Sequence, residues 1–128
     1  MITEDYVSFE TAKLLKEKGF DAICSAFYIK YTDGSVKLVP TEAVSMVLFA
    51  QKYAFSVDTI SVPSLQMAMK WLREVHGLHV DIDPLEGNWC IKIVELEDLC
   101  EVDKGIALYG TYEEAAEAGI RYCLENLI

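Results

Sequence analysis

The residues of this chain that could do chemistry lie closest together between positions 74 and 83. Glu74, His76, His79, Asp81 and Asp83 all fall in this short stretch. Imidazoles and carboxylates gathered where one element ends and the next begins can ligate a divalent cation or transfer protons. His76, His79, Asp81 and Asp83 are therefore candidates for a metal-binding, small-molecule-binding or hydrolytic site.

The same spacing also fits residues with only structural roles. His76 comes at the end of a predicted helix, where a positive charge is favoured by the helix dipole. His79, Asp81 and Asp83 alternate with apolar residues, as on the polar face of a half-buried strand. We favour the structural interpretation, so the sequence assigns no catalytic, cofactor-binding or metal-ligating residue and implies no cofactor.

The four cysteines, at positions 24, 90, 100 and 123, include no CxxC pair. They are read as small buried or half-buried thiols rather than as a zinc or redox motif. Cys90 is the one candidate nucleophile, because its strand is predicted to pair with the strand that carries His79. The sequence also lacks a phosphate-binding glycine loop, HExxH and GxSxG, so a non-enzyme is favoured.

Composition indicates one globular domain spanning residues 1–128. The chain is 52% hydrophobic and 25% charged, with a net charge of −10 and no cluster of basic residues, which disfavours direct nucleic-acid binding. The longest apolar run, 43–50, is far shorter than the roughly 20 residues of a membrane span. The acidic start has no signal-peptide pattern, so we expect a cytoplasmic protein that is not bound to a membrane.

Local signals predict an α+β fold with about four helices and an antiparallel sheet. The helices are predicted at about 8–18, 41–52, 64–76 and 112–126. The helix at 64–76 is the best specified, with Ser64 as its N-cap, an apolar stripe that ends at Val75, and Gly77 as its stop. In the last helix, Gly119 suggests a close approach to a neighbouring element.

The segment 41–52 is apolar on nearly all sides. We favour a helix that is buried in the core or at a subunit interface, and a buried strand is the alternative, because periodicity does not separate the two. This segment motivates the expectation of a protein partner or a homo-oligomer.

The strands are predicted as two hairpins, at about 24–39 and 78–95. In the first, Asp33-Gly34 predicts a two-residue type I′ turn that places Ile29 opposite Leu38 and Tyr31 opposite Val36. In the second, a loop at 83–88 joins two alternating strands. An acidic loop at 95–105 and a short edge strand at 106–109 follow.

Three segments, Ile2–Phe20, Val62–Gly77 and Tyr112–Ala116, carry a resemblance to a known group. They resemble short uncharacterised proteins encoded by prophages and other mobile elements of gut anaerobic bacteria. The resemblance implies a bacterial or phage origin and a cytoplasmic location. It supplies no catalytic residue and does not include the segment 41–52.

Three functions remain open from the sequence. The first is a non-enzymatic interaction or accessory protein of phage or mobile-element origin. The second is a small-molecule or metal-binding or hydrolytic domain that uses the region from His76 to Asp83. The third is an acidic decoy that occupies the basic site of a nucleic-acid-binding protein.

Overall fold

A computed structural model describes residues 2–42 and 58–128, which contain three helices and two three-stranded antiparallel sheets. The helices are α1 (Phe9–Glu17), α2 (Leu65–His76) and α3 (Tyr112–Asn126). The strands are β1 (Ala26–Lys30), β2 (Val36–Pro40), β3 (Asp58–Val62), β4 (Leu78–Leu85), β5 (Asn88–Glu95) and β6 (Cys100–Glu101). The predicted α+β class is confirmed. The predicted helix at 41–52 lies, from position 43 onward, outside the described residues.

The strands form two sheets where the sequence predicts one. β1 lies between β2 and β3 in the first sheet, and β5 lies between β4 and β6 in the second. Each predicted hairpin therefore gains its own third strand. The segment 53–62 has no clean period, so the sequence leaves both a short strand and a connecting loop open there, and β6 has only two residues, too few to show alternation.

The first hairpin forms at the predicted place but in a different register. Tyr31 N–H donates to Ser35 O at 2.9 Å and Gly34 N–H donates to Tyr31 O at 3.0 Å, which closes a three-residue loop with Gly34 at φ +88°. Ile29 consequently lies opposite Lys37, and the predicted Ile29–Leu38 pair is wrong by one residue. Leu38 moves to the opposite face of the strand pair and is 42% exposed.

The second hairpin has the predicted outer bounds and a tighter turn. Glu86 and Gly87 have φ of 50° and 81°, as a two-residue type I′ turn requires, so the strands extend through most of the predicted loop. Pro84 is tolerated in β4 because it faces Trp89 at a position that does not bond to β5.

Helix α2 begins and ends where the sequence predicts. Ser64 Oγ accepts from Met67 N–H at 3.1 Å, and Gly77 takes the left-handed conformation at φ 65°. The predicted buried stripe is wrong at its last member, since Val75 is 60% exposed. The inward face continues instead to His76, whose ring packs edge-on against Trp71 at 4.6 Å between centroids.

One buried cluster joins the three helices to both sheets. Its largest fully buried side chains include Leu15 of α1, Leu72 of α2, Ile93 of β5 and Ile120 of α3. Gly119 lies where α3 crosses β4, and a Cβ added to it would lie 2.5 Å from Val80 Cγ1. The predicted close approach at Gly119 is confirmed.

A polar tie fastens α3 to the start of α1. Ser8 Oγ caps α1 by accepting from Thr11 N–H, and the hydroxyls of Ser8 and Thr11 both donate to Glu117 Oε1 at 2.5 Å. The Ser8 N–H donates to the same oxygen at 3.1 Å. Thr11 is fully buried, so Glu117 satisfies a hydroxyl that water does not reach. Burial, and then the charge of Glu117, raises the pKa of the neighbouring Tyr28.

The chain after β5 returns along the edge of that strand. It bonds to β5 through β6 and again at Tyr109, which exchanges two backbone hydrogen bonds with Trp89. The predicted acidic loop at 95–105 thus contains β6, and the predicted edge strand at 106–109 is reduced to a bridge at Tyr109.

Candidate functional site

The polar face of the second sheet carries three of the four candidate residues. His79, Asp81 and Asp83 share one face of β4, since strand side chains alternate, and all are partly exposed. Across the ladder Asp81 lies opposite Lys92. Such a face, with a carboxylate opposite an ammonium group, is typical of a solvated sheet surface.

His76 does not join this face as a free ligand. Its ring lies against Trp71, and its Nε2 atom is buried without a hydrogen-bond partner among the residues that the structure describes. The sequence-based grouping of His76 with His79, Asp81 and Asp83 therefore separates into one packed ring and one strand face. Within residues 2–42 and 58–128, no group of three or more His, Cys, Asp and Glu could hold a metal ion.

The proposed pairing of Cys90 with a histidine base is not formed. Cys90 lies opposite Asp83, whereas His79 lies opposite Val94, four residues farther along β5. At about 3.3 Å per residue this places the two side chains roughly 13 Å apart along the sheet. His79 is therefore too far from Cys90 to act as its base.

We expect the thiols of the native protein to react with iodoacetamide at very different rates. Burial raises the pKa of Cys123 to about 12, so it should stay unmodified at pH 8. Cys100 is exposed, but the negative charge of Asp98 raises its pKa, so its alkylation should be slow for an exposed thiol. Asp98→Asn should accelerate alkylation of Cys100 severalfold, measured by peptide mass spectrometry.

The control for this prediction is Glu97→Gln, which removes a neighbouring charge that does not act on the thiol. Asparagine can still accept the Cys100 N–H that Asp98 Oδ1 accepts at 3.1 Å, so the turn is kept. Equal rates in the two variants would show that Asp98 does not control the thiol.

An acidic strip lies at residues 95–103, where β5 turns into β6. It presents five exposed carboxylates, at Glu95, Glu97, Asp98, Glu101 and Asp103. The ion pairs found in the described part of the chain are Lys70–Glu74 and Arg121–Glu125, so none of the five is paired there. A negative potential is therefore concentrated on this strip.

Leu99 projects from the middle of this acidic strip. Its side chain is 76% exposed, and its backbone has φ of +59°, a conformation that suits glycine. The conformation costs about 1–2 kcal/mol relative to an ordinary one. An exposed leucine held in a strained turn has no use in the core, so it is a candidate for contact with another molecule.

Leu99 is not among the candidates from the sequence, because residues 95–105 are predicted there as an acidic loop. One signal was available, since Leu96 and Leu99 are apolar residues with no strand or helix periodicity in an otherwise charged stretch. Their exposure, 40% and 76%, follows only from the fold.

Comparison with known protein families, with characterised proteins and with solved structures finds no match for this chain. No helix in the described ranges is long and apolar enough to cross a membrane. A functional conclusion for this chain therefore rests on the geometry of its surface residues.

Proposed function

We propose that this protein is a non-enzymatic interaction module that binds a basic, partly apolar surface of another protein through the acidic strip. The observation that carries this proposal is Leu99, exposed and strained among five carboxylates. An accessory role in a phage or mobile element, which the sequence resemblance implies, is part of the same proposal.

Leu99 supplies the apolar contact of the proposed interface. Burying a leucine side chain against a partner is worth about 1.5–3 kcal/mol. The strain at φ +59° is already present in the free protein, so no further backbone ordering is needed to present the side chain.

The carboxylates of the acidic strip supply charge complementarity. They steer a partner that carries lysine or arginine, and they raise the association rate in a salt-dependent way. A partner with like charge is repelled. The strip therefore selects a partner in which basic residues surround an apolar pocket or a large apolar side chain.

The proposal is tested by selecting binders for the full chain from a random peptide library. We expect enriched peptides that combine Lys or Arg with a large apolar residue, and we expect their binding to weaken as salt rises from 50 to about 300 mM. Leu99→Gly should reduce the affinity of the selected peptides about tenfold. Because glycine tolerates the backbone of this turn, the variant should be no less heat-stable than the wild type.

The matched control is Ile23→Gly, which removes a side chain that is 93% exposed but lies outside the acidic strip. It should leave peptide binding unchanged. Enrichment of acidic or uncharged peptides, or equal binding to the wild type and Leu99→Gly, would contradict the proposal.

The acidic-decoy hypothesis is a narrower form of this proposal. Its partner is a nucleic-acid-binding protein whose basic site the acidic strip covers, so short duplex DNA should compete for that partner. Self-association remains a separate prediction, because its motivation, the apolar segment 41–52, lies mostly outside the described residues.

A further inference from the structure

The edge of β5 is interrupted by an arch, residues 103–108. On one side of it Val102 N–H donates to Ile93 O at 2.7 Å, and on the other Trp89 and Tyr109 exchange bonds of 2.9 and 2.8 Å. Between these two anchors β5 has three residues, 90–92, whereas the returning chain has six. The three extra residues move the returning chain away from β5, so the hydrogen bonding between them is interrupted at the centre.

Ile91 lies at the centre of this opening. In an antiparallel strand, alternate residues direct both N–H and C=O to the same edge. Trp89 and Ile93 bond to the returning chain, so the peptide groups of Ile91 face that edge too. No bond to them from the described residues is found, although Ile91 is only 7% exposed. The N–H donor and the C=O acceptor of Ile91 thus lie side by side at this edge.

A cavity of about 460 Å³ lies between Ile91 and the arch. Its apolar walls come from Leu85 of β4, Val102 beside β6 and Ile106 of the arch. Four charged residues, Lys92, Glu101, Asp103 and Lys104, also line the cavity. Its volume suits a molecule of one or two rings.

We propose that this cavity binds a small planar molecule that carries an amide edge, such as a lactam ring. The lactam C=O accepts from Ile91 N–H and the lactam N–H donates to Ile91 C=O, while the ring lies between Leu85 and Ile106. The two anchors close the opening at both ends, so a continuous β-strand from a partner has no room along it. The cavity borders the acidic strip, since Glu101 and Asp103 belong to both, but the inference does not depend on a protein partner.

The test uses 2-quinolone and N-methyl-2-quinolone as a pair of probes, because methylation removes the donor and places a methyl group against the strand edge while keeping the ring and its carbonyl. The readout is the backbone amide spectrum of the full chain during titration. We expect 2-quinolone to shift the Ile91 amide signal in a saturable way and to bind at least tenfold more tightly than its N-methyl analogue. Before any probe is added, the Ile91 amide should exchange with solvent faster than the bonded amide of Trp89.

Two variants separate this site from non-specific binding. Leu85→Arg blocks the cavity wall and should weaken 2-quinolone binding at least tenfold, whereas Val75→Arg, at an exposed position of α2, should not. Deleting residues 104–106 removes the three extra residues of the arch, so the ladder should close and binding should be lost. If that deletion unfolds the protein, Leu85→Arg still tests whether 2-quinolone binds in this cavity.

The proposal is overturned if 2-quinolone gives no saturable shift at Ile91. It is also overturned if both probes bind equally, or if Leu85→Arg binds as tightly as Val75→Arg.

Discussion

Replacing Gly119 with alanine is expected to destabilise the protein by about 1–3 kcal/mol, although alanine is the better helix former. The added Cβ would lie 2.5 Å from Val80 Cγ1 and 3.6 Å from Ile91 Cδ1. Val80 is β-branched and buried, so it has no free rotamer through which to yield. The helix must then move away from the sheet, and the core between α3 and β4 loosens.

Chemical denaturation of the wild type and of Gly119→Ala measures this effect. The decisive comparison adds Val80→Ala alone and in combination, because truncating Val80 makes room for the new methyl group. In the double variant the cost of Gly119→Ala should shrink by at least about 1 kcal/mol, which is a coupling between touching residues. A Gly119→Ala protein that is more stable than the wild type would show that the two elements are not in close contact.

Helices α1, α2 and α3 were predictable because their ends are specified by near neighbours in the chain. Ser64 and Thr111 each cap a helix by accepting from a backbone N–H three residues ahead. The close approach at Gly119 was also predictable, from a glycine placed inside an otherwise regular helix. The capping interactions join residues within one helical turn of each other, so the local sequence is enough to predict them.

The register of the first hairpin was not predictable from the turn dipeptide alone. Asp-Gly fits both a two-residue type I′ turn and a three-residue loop with glycine in the left-handed position. Asp33 Oδ1 accepts from Ser35 N–H at 2.8 Å and from Ser35 Oγ at 2.6 Å, which goes with the longer loop. These bonds also lower the pKa of Asp33, with the side-chain bond from Ser35 as the largest cause.

The division into two sheets and the proposed small-molecule site depend on contacts between distant residues. The pairing of β3 with β1 and of Tyr109 with Trp89 joins segments far apart in the chain, and periodicity records only which face is apolar. The opening at Ile91 follows from the second of these pairings, whereas Leu99 lies in the short turn that joins β5 to β6. The candidates that the sequence did offer, at His76, His79, Asp81 and Asp83, were chosen for their chemistry, and the fold separates His76 from the rest.

Replacing Glu117 with alanine is expected to cost roughly 2–4 kcal/mol of the free energy of unfolding. One carboxylate oxygen accepts from the hydroxyls of Ser8 and Thr11 and from the backbone N–H of Ser8. Removing it leaves the buried hydroxyl of Thr11 without its acceptor and releases the start of α1 from α3. Hydrogen bonds to a charged acceptor are the stronger kind, and an orphaned buried donor adds its own penalty.

Denaturation of Glu117→Ala is compared with that of Glu113→Ala, an exposed glutamate on the same helix that should cost only a few tenths of a kcal/mol. A cycle with Thr11→Val, which removes the hydroxyl but keeps the shape, should give a coupling with Glu117→Ala of at least about 1 kcal/mol. In Glu117→Gln the loss should be smaller, because the amide oxygen still accepts. The pKa of Tyr28 should also fall in that variant, since one of the two causes that raise it is removed. A Glu117→Ala protein as stable as Glu113→Ala would mean that the tie contributes nothing to joining α1 and α3.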